Sequence, residues 1–286
     1  MSTVKLTWVV DDEAAAPLRS EHGYALWVET AAGRVLFDTG GSGETLLHNL
    51  SVLGLNPETL DAVVLSHGHD DHTGGLAALA EHLSPGTPVV AHPTLFRARY
   101  SRHSGDLEHR GIPVTQASLE DSLTFRFSRD PVQVLPGVWT TGEVQPRPEP
   151  EGRSRWHFIA QGDGLVPDPY EDDLSLVLDI GSDRLVLVCG CCHAGLLNTL
   201  ATVRRNWSGK IVSIVGGVHL ANAPQEVIGR VVDMLGGMSG LRHLWLGHCS
   251  GRAIGEAASV ALQGVIVEAR TAGHSVTYED GDSVCA

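Results

Sequence analysis

Short apolar runs alternate with amphipathic stretches along nearly the whole chain. "VKLTWVV" (4–10), "YALWVET" (24–30) and "RVLFDTG" (34–40) read as strands, and "ETLLHNLSVLGL" (44–55) reads as an amphipathic helix closed near Gly54. A strand "LDAVVLS" (60–66), a polar run and a helix over "GGLAALAEHL" (74–83) follow. Next come a strand "TPVVAH" (87–92), a basic stretch "TLFRARYSRH" (94–103) with helical character, and a strand-rich meander over about 112–142. In the second half a strand-to-helix pattern recurs. "LSLVLDI" and "RLVLVCG" precede helix "AGLLNTLATVRRNW", "KIVSIVGG" precedes "APQEVIGRVVDML", and "LRHLWLG" precedes "GRAIGEAASVALQ". After the ends of these strands stand His193, His219 and His248.

Such alternation predicts an α/β fold, and 286 residues are within reach of one large domain over 1–286. No repeat of about 20–50 residues interrupts it. Residues 145–173 break the pattern with five prolines and many polar groups, the profile of a lid-like insertion. Trp156, His157 and Phe158 in its middle suit a cover over a pocket better than a plain solvent loop.

Composition narrows the functions. A hydrophobic share of 42% suffices for a sizeable core, while a net charge of −14 argues against nucleic acid as a partner. Arg97, Arg99 and Arg102 read as a solvated helix face, with a small phosphate as the other use of such a patch. The N-terminal "MSTVKLTWVVDDE" does not resemble a secretory signal, and no run reaches the ~18–20 apolar residues of a membrane span. A cytoplasmic protein acting on a small molecule is expected, with oligomeric state left open. Three of the five cysteines crowd into "VCGCCHAG", a spacing that suits reduced thiols.

The chemistry concentrates in "VVLSHGHDDHTGG" (63–75), at the C-terminal end of a strand. His67, His69, Asp71 and His72 offer imidazole and carboxylate donors, a set for a transition metal rather than calcium or magnesium. His67 and His69, one residue apart, project to one side of an extended segment, and a turn delivers Asp71 and His72 toward a second position. A capped polar turn is the plain alternative.

This run resembles the HxHxDH signature of the metallo-β-lactamase fold superfamily, and "RVLFDTG" resembles its upstream motif, whose aspartate would be Asp38. "CGCCHAGLLN", "VGGVHL", "GHCSG" and "DDLSLVL" are similar to the branch of dihydropterin ribofuranosyl-aminobenzene phosphate synthases. The resemblance implies a four-layer αββα sandwich with two divalent transition metal ions, zinc first and manganese or iron next. It implies His67, His69, Asp71, His72, His193 and His248 as ligands and Asp38 as their support. Two departures stand out: Glu143 in "TTGEV" takes the place of the third-motif histidine, and Cys191 that of the bridging aspartate. Cys191, His219 and Glu143 are therefore candidate contacts to metal or substrate.

The implied chemistry is a metallo-hydrolase in which a metal-bound hydroxide attacks an ester, lactone, amide or phosphoester, with Asp71 and His193 as catalytic groups. An iron-dependent redox enzyme and a ligand-binding module with weak catalysis are the alternatives. No nucleotide cofactor is implied, since "GGSG" (40–43) lacks a phosphate-loop pattern.

Overall fold

The structure, a computed structural model, describes residues 3–279 and 284–285. One sheet has eight strands in the spatial order Val284–Cys285, Ser275–Tyr278, Val4–Val10, Ala25–Thr30, Gly33–Phe37, Ala62–Val64, Pro88–Ala91 and Thr124–Phe127. A second has seven, in the order Ile266–Ala269, His243–Leu246, Lys210–Gly216, Arg184–Cys189, Ser175–Asp179, Val138–Thr140 and Gln133–Leu135. The four strands Ile266–Ala269, His243–Leu246, Lys210–Gly216 and Arg184–Cys189 run parallel. Their C-terminal ends, and the loops carrying His193, His219 and His248, therefore gather at one edge.

Side-chain alternation assigns the layers. Leu26, Val28, Val35 and Phe37 of the first sheet share a core with Leu176, Leu178, Val186, Val188, Val215 and Trp245 of the second. Their odd-numbered or even-numbered neighbours face away. Trp27, Leu36 and Val63 pack with Leu46 and Leu50 of helix Gly43–Val52. Leu187, Ile214 and Leu244 pack with residues of helices Leu196–Asn206, Gln225–Gly236 and Arg252–Ala261. Two sheets, each apolar on both faces, require helices outside both, which makes the four-layer αββα sandwich.

Three local expectations change. The helix expected over 74–83 is only Leu76–Ala80, preceded by one turn at Asp70–Thr73. The basic stretch 94–103 holds a strand, Arg99–Ser101, instead of a helix. It joins a third sheet, in the order Gly164–Pro167, His157–Gln161, Arg99–Ser101 and Glu108–His109. Arg99 is neither a solvated face nor a free phosphate site: it is buried, with Nη2 2.7 Å from Asp172 and Nε 3.2 Å from Asp168. Its ion-pair partners and one of its two strand partners, His157–Gln161, lie more than 55 residues away, beyond any local pattern. The 145–173 segment, expected to be irregular, thus contributes the hairpin His157–Gln161/Gly164–Pro167. A bridge between His69 and Gly111 ties this region to the histidine loop. Among the described residues no helix is long and apolar enough to cross a membrane.

Candidate metal centre

Strands Gly33–Phe37 and Ala62–Val64 are parallel neighbours, so Asp38 and the loop from Ser66 leave the sheet side by side. Asp38 is fully buried, in the left-handed region at φ 62°. Its Oδ1 accepts the Ser66 N–H, and its Oδ2 accepts the Ser66 hydroxyl and His72 Nδ1, each at 2.7 Å. Having given its proton to Asp38, the Ser66 hydroxyl is left to accept from His67 Nδ1 at 2.8 Å. One carboxylate thus orients two imidazoles. Gly190, at the end of the facing strand, permits this approach, because a Cβ there would lie 2.8 Å from Asp38 Oδ2.

The second sheet contributes the rest. His193 Nδ1 lies 2.9 Å from the Gly152 carbonyl, and His248 Nδ1 lies 2.7 Å from Asp12 Oδ1. Carbonyl and carboxylate oxygens only accept, so the Nδ1 of His72, His193 and His248 carries a proton, and in the neutral form of each ring Nε2 is the bare nitrogen. That is the arrangement by which proteins orient metal-binding histidines. His72 Nε2 is 3.2 Å from Cys191 Sγ and 3.3 Å from His248 Nε2, and Asp71 Oδ2 is 3.3 Å from His248 Nε2. At the other end His67 Nε2 and His69 Nδ1 are 2.9 Å apart. His69 Nε2 and His193 Nε2 are buried without any hydrogen-bond partner.

Donor atoms within 4.8 Å of one another form five groups among the described residues: Asp71, His72, Cys191 and His248; His67, Cys191 and His193; His69, His157 and His193; Cys191, His219 and Cys249; Asp12, His22 and His248. Cys191 belongs to three of them and sits where the two ends of the array meet. Nitrogen and sulfur donors of this density, with two orphaned imidazole nitrogens, fit a divalent transition metal.

The electrostatics divide the array. Burial, reinforced by neighbouring imidazoles, holds His67 and His193 well below the usual histidine range. Burial and His157 do the same to His69. These rings are neutral, the form that binds metal. His72 and His248 are also buried, yet carboxylates overcome that cost and raise both: Asp71 and Asp38 for His72, Asp12 and Asp71 for His248. Asp71 is held well below the usual carboxylate range, since His72 and His248 outweigh its own burial. Burial pushes the Cys191 thiol up, whereas Cys191, His219 and His248 hold the Cys249 thiol down against its burial.

Of the residues singled out in the sequence, His67, His69, Asp71, His72, Cys191, His193, His219 and His248 come together, and Asp38 supports them. Glu143 does not join any of these groups; its carboxylate pairs with Arg129 at 2.6 Å and His92 at 3.4 Å. Asp12, His22, Tyr170 and Cys249 were not singled out, and His157 was expected only in a cover over a pocket. His22, which carried no signal in the sequence, stands 3.0 Å from Asp12 and 3.4 Å from Asp71. The one available signal was the aromatic trio around His157 in a polar insertion.

Comparison with known proteins agrees with this arrangement. A family model described as "Metallo-beta-lactamase superfamily" matches residues 19–188. The chain is 27% identical over 263 residues to 7,8-dihydropterin-6-methyl-4-(beta-D-ribofuranosyl)-aminobenzene-5'-phosphate synthase of Methanocaldococcus jannaschii, covering 88% of this chain and 89% of that protein. Among solved structures, Tm1679, described as a metal-dependent hydrolase of the beta-lactamase superfamily, superposes with a TM-score of 0.82 at 25% identity, covering 97% of this chain and 100% of the other. YhfI from Bacillus subtilis shares the fold at a TM-score of 0.60 and 15% identity, over 97% of this chain and 100% of the other.

Proposed function

The chain belongs to the metallo-beta-lactamase superfamily, and from that premise we propose that it is a metal-dependent hydrolase of a small-molecule ester, lactone, amide or phosphoester. The observation that carries this reading is the set of imidazoles whose Nδ1 is committed to an oxygen acceptor and whose rings fall into adjoining donor groups that share Cys191. His67, His69 and His193 would hold one ion, and Asp71, His72 and His248 a second, with Cys191 between them. Zinc suits this donor set first, with manganese or iron next according to supply. When bound, such ions supply an acidified water and a Lewis acid for the scissile bond.

The protein's own part is orientation and proton handling. Asp38 fixes His67 and His72, and Asp12 fixes His248. Asp71, kept ionised by His72 and His248, is placed to align the attacking water and accept its proton. His193, neutral and bare at Nε2, would present that nitrogen to the ion at the buried end. A cavity of about 490 Å³ lined by Asp12, His248, Gly251, Arg252, Glu256 and Thr271 opens beside the charged end, room for a small substrate. Another, of about 470 Å³, lies around Asp183, Lys210 and His243 at the opposite strand ends and has no part in this reading.

The synthase named above supports a second reading, group transfer to an acceptor other than water. The test is metal content per chain on protein purified without a chelating tag, followed by turnover on ester, lactone and phosphoester panels with and without an added alcohol or amine acceptor. About two ions with hydrolysis in water supports the hydrolase; turnover only with acceptor supports transfer. A protein that binds no zinc, manganese or iron overturns both.

A further inference from the structure

The 145–173 segment is pinned to the centre at several points. Glu151 accepts the Leu197 N–H at 2.8 Å, and Asn198 bonds the backbone of Glu149 in both directions at 2.8 and 3.1 Å. These contacts bring the Gly152 carbonyl onto His193 Nδ1. Further along, the Tyr170 ring stacks on His193, with centroids 4.3 Å apart and an interplanar angle of 9°. Between these anchors His157 opens the hairpin, paired in register with Ser101. Its Nδ1 lies 2.9 Å from the Tyr170 hydroxyl, whose oxygen accepts the Ser154 N–H at 3.1 Å. The other ring nitrogen, Nε2, remains for something else.

What surrounds it is suggestive. The His157 ring lies 4.9 Å from His69 and 5.7 Å from His193, centroid to centroid, and one nitrogen from each of the three falls within 4.8 Å of the others. His69 Nε2 and His193 Nε2, like His219 Nδ1 beside them, are buried without a hydrogen-bond partner. Buried polar atoms are rarely left unmatched, and a cation shared by the three rings, which have no carboxylate among them, would satisfy one nitrogen of each at once.

Resting on the metal-centre reading above, we propose that His157 is itself a metal ligand: with His69 and His193 it forms a three-imidazole face for a borderline divalent ion, zinc above all. The 145–173 segment then completes the centre from outside the two main sheets. Gly152 and Tyr170 are positioning groups that set the His193 and His157 rings. This assigns the segment a role distinct from covering a substrate.

The test compares His157→Ala with wild type and with His82→Ala, an exposed histidine outside the site. Full-length protein is stripped of metal, titrated with Zn²⁺ against a chromophoric chelator, and titrated in parallel with Co²⁺ while its visible d–d absorption is recorded. The expected result is about two equivalents in wild type and His82→Ala, and loss of one equivalent or at least ~100-fold weaker binding of it in His157→Ala, with a changed Co²⁺ spectrum. Should that variant misfold, imidazole ¹⁵N spectra of wild type give the same information, the His157 Nε2 resonance moving on Zn²⁺ saturation. Equal stoichiometry, affinity and Co²⁺ spectrum in His157→Ala, or an unmoved Nε2, overturns the proposal while the metal-centre reading stands. Absence of Zn²⁺ or Co²⁺ binding by wild type removes both.

Discussion

The two ends of the donor array are built on opposite principles. At one end Asp71, His72 and His248 stand among carboxylates: Asp38 and Asp12 bond the distal ring nitrogens, and Asp71 and His22 complete a charged cluster. At the other end His67, His69, His157 and His193 are backed by a hydroxyl, a ring nitrogen, a phenol and a carbonyl. The charged end is stabilised by its own ion pairs, and its carboxylates raise the pKa of His72 and His248. The neutral end excludes protons through burial and leaves nitrogen lone pairs unmatched. The same fold edge thus offers one pocket where carboxylates and imidazoles are paired and one whose imidazoles have no carboxylate among them.

The strongest way to break this contrast is to delete the neutral end. His67→Ala with His69→Ala is expected to bring turnover to background and metal content from about two ions to one, read by mass spectrometry of metals. Retained wild-type turnover would sink the proposed mechanism. Next in size is Asp38→Ala, which strands the Ser66 N–H and the His72 Nδ1–H in a fully buried place. Thermal or denaturant unfolding is expected to report a loss of about 3–5 kcal/mol, with weaker metal binding at both ends. A loss below about 1 kcal/mol would show that Asp38 does not hold the loop.

The contrast sharpens with pH. Because the pKa values of His72 and His248 are raised, their protons must leave when metal binds near neutrality, so affinity at the charged end should fall as pH falls. The expected slope approaches tenfold per pH unit per displaced proton. His67, His69 and His193 are held well below the usual range, and His157 is lowered to about 4 by burial and His219. Affinity at the neutral end should therefore stay flat from about pH 8 to 6. Isothermal titrations in buffers of different ionisation enthalpy would count the released protons, and equal slopes at both ends would dissolve the distinction.

The smallest effect is expected at the rim of the charged end. His22 is largely exposed, 69% of its side chain, and reaches Asp12 and Asp71 from outside. His22→Ala should change kcat/KM by no more than about tenfold and leave metal content intact. A loss of an ion in that variant would promote His22 to a ligand.

The split between legible and hidden parts of the site follows the same line. The HxHxDH loop could be read directly, because four donors in six residues after a strand leave few other uses for them. Asp38 followed from its motif, and His193 and His248 from recurring at parallel strand ends. His157 carried only the oddity of an aromatic trio in a polar insertion, and Asp12 and His22 carried no signal. The expected role of Glu143 was set aside by Arg129, 14 residues away in sequence but 2.6 Å away in space. In the fold, the helix expected over 94–103 gave way because the Arg99 strand takes its pairing from residues 157–159.

By itself the sequence determined the two-fold alternation of both sheets, most of the order of helices and strands, and a histidine loop whose donors could hold a metal, since each of these depends on neighbours within a few residues. Only the tertiary structure decided which imidazoles are neutral and which are charged, that Cys191 stands between the two ends, and that the 145–173 segment delivers His157 to His69 and His193. Burial and the approach of distant carboxylates set those properties, and both arise when strands remote in sequence meet at one edge.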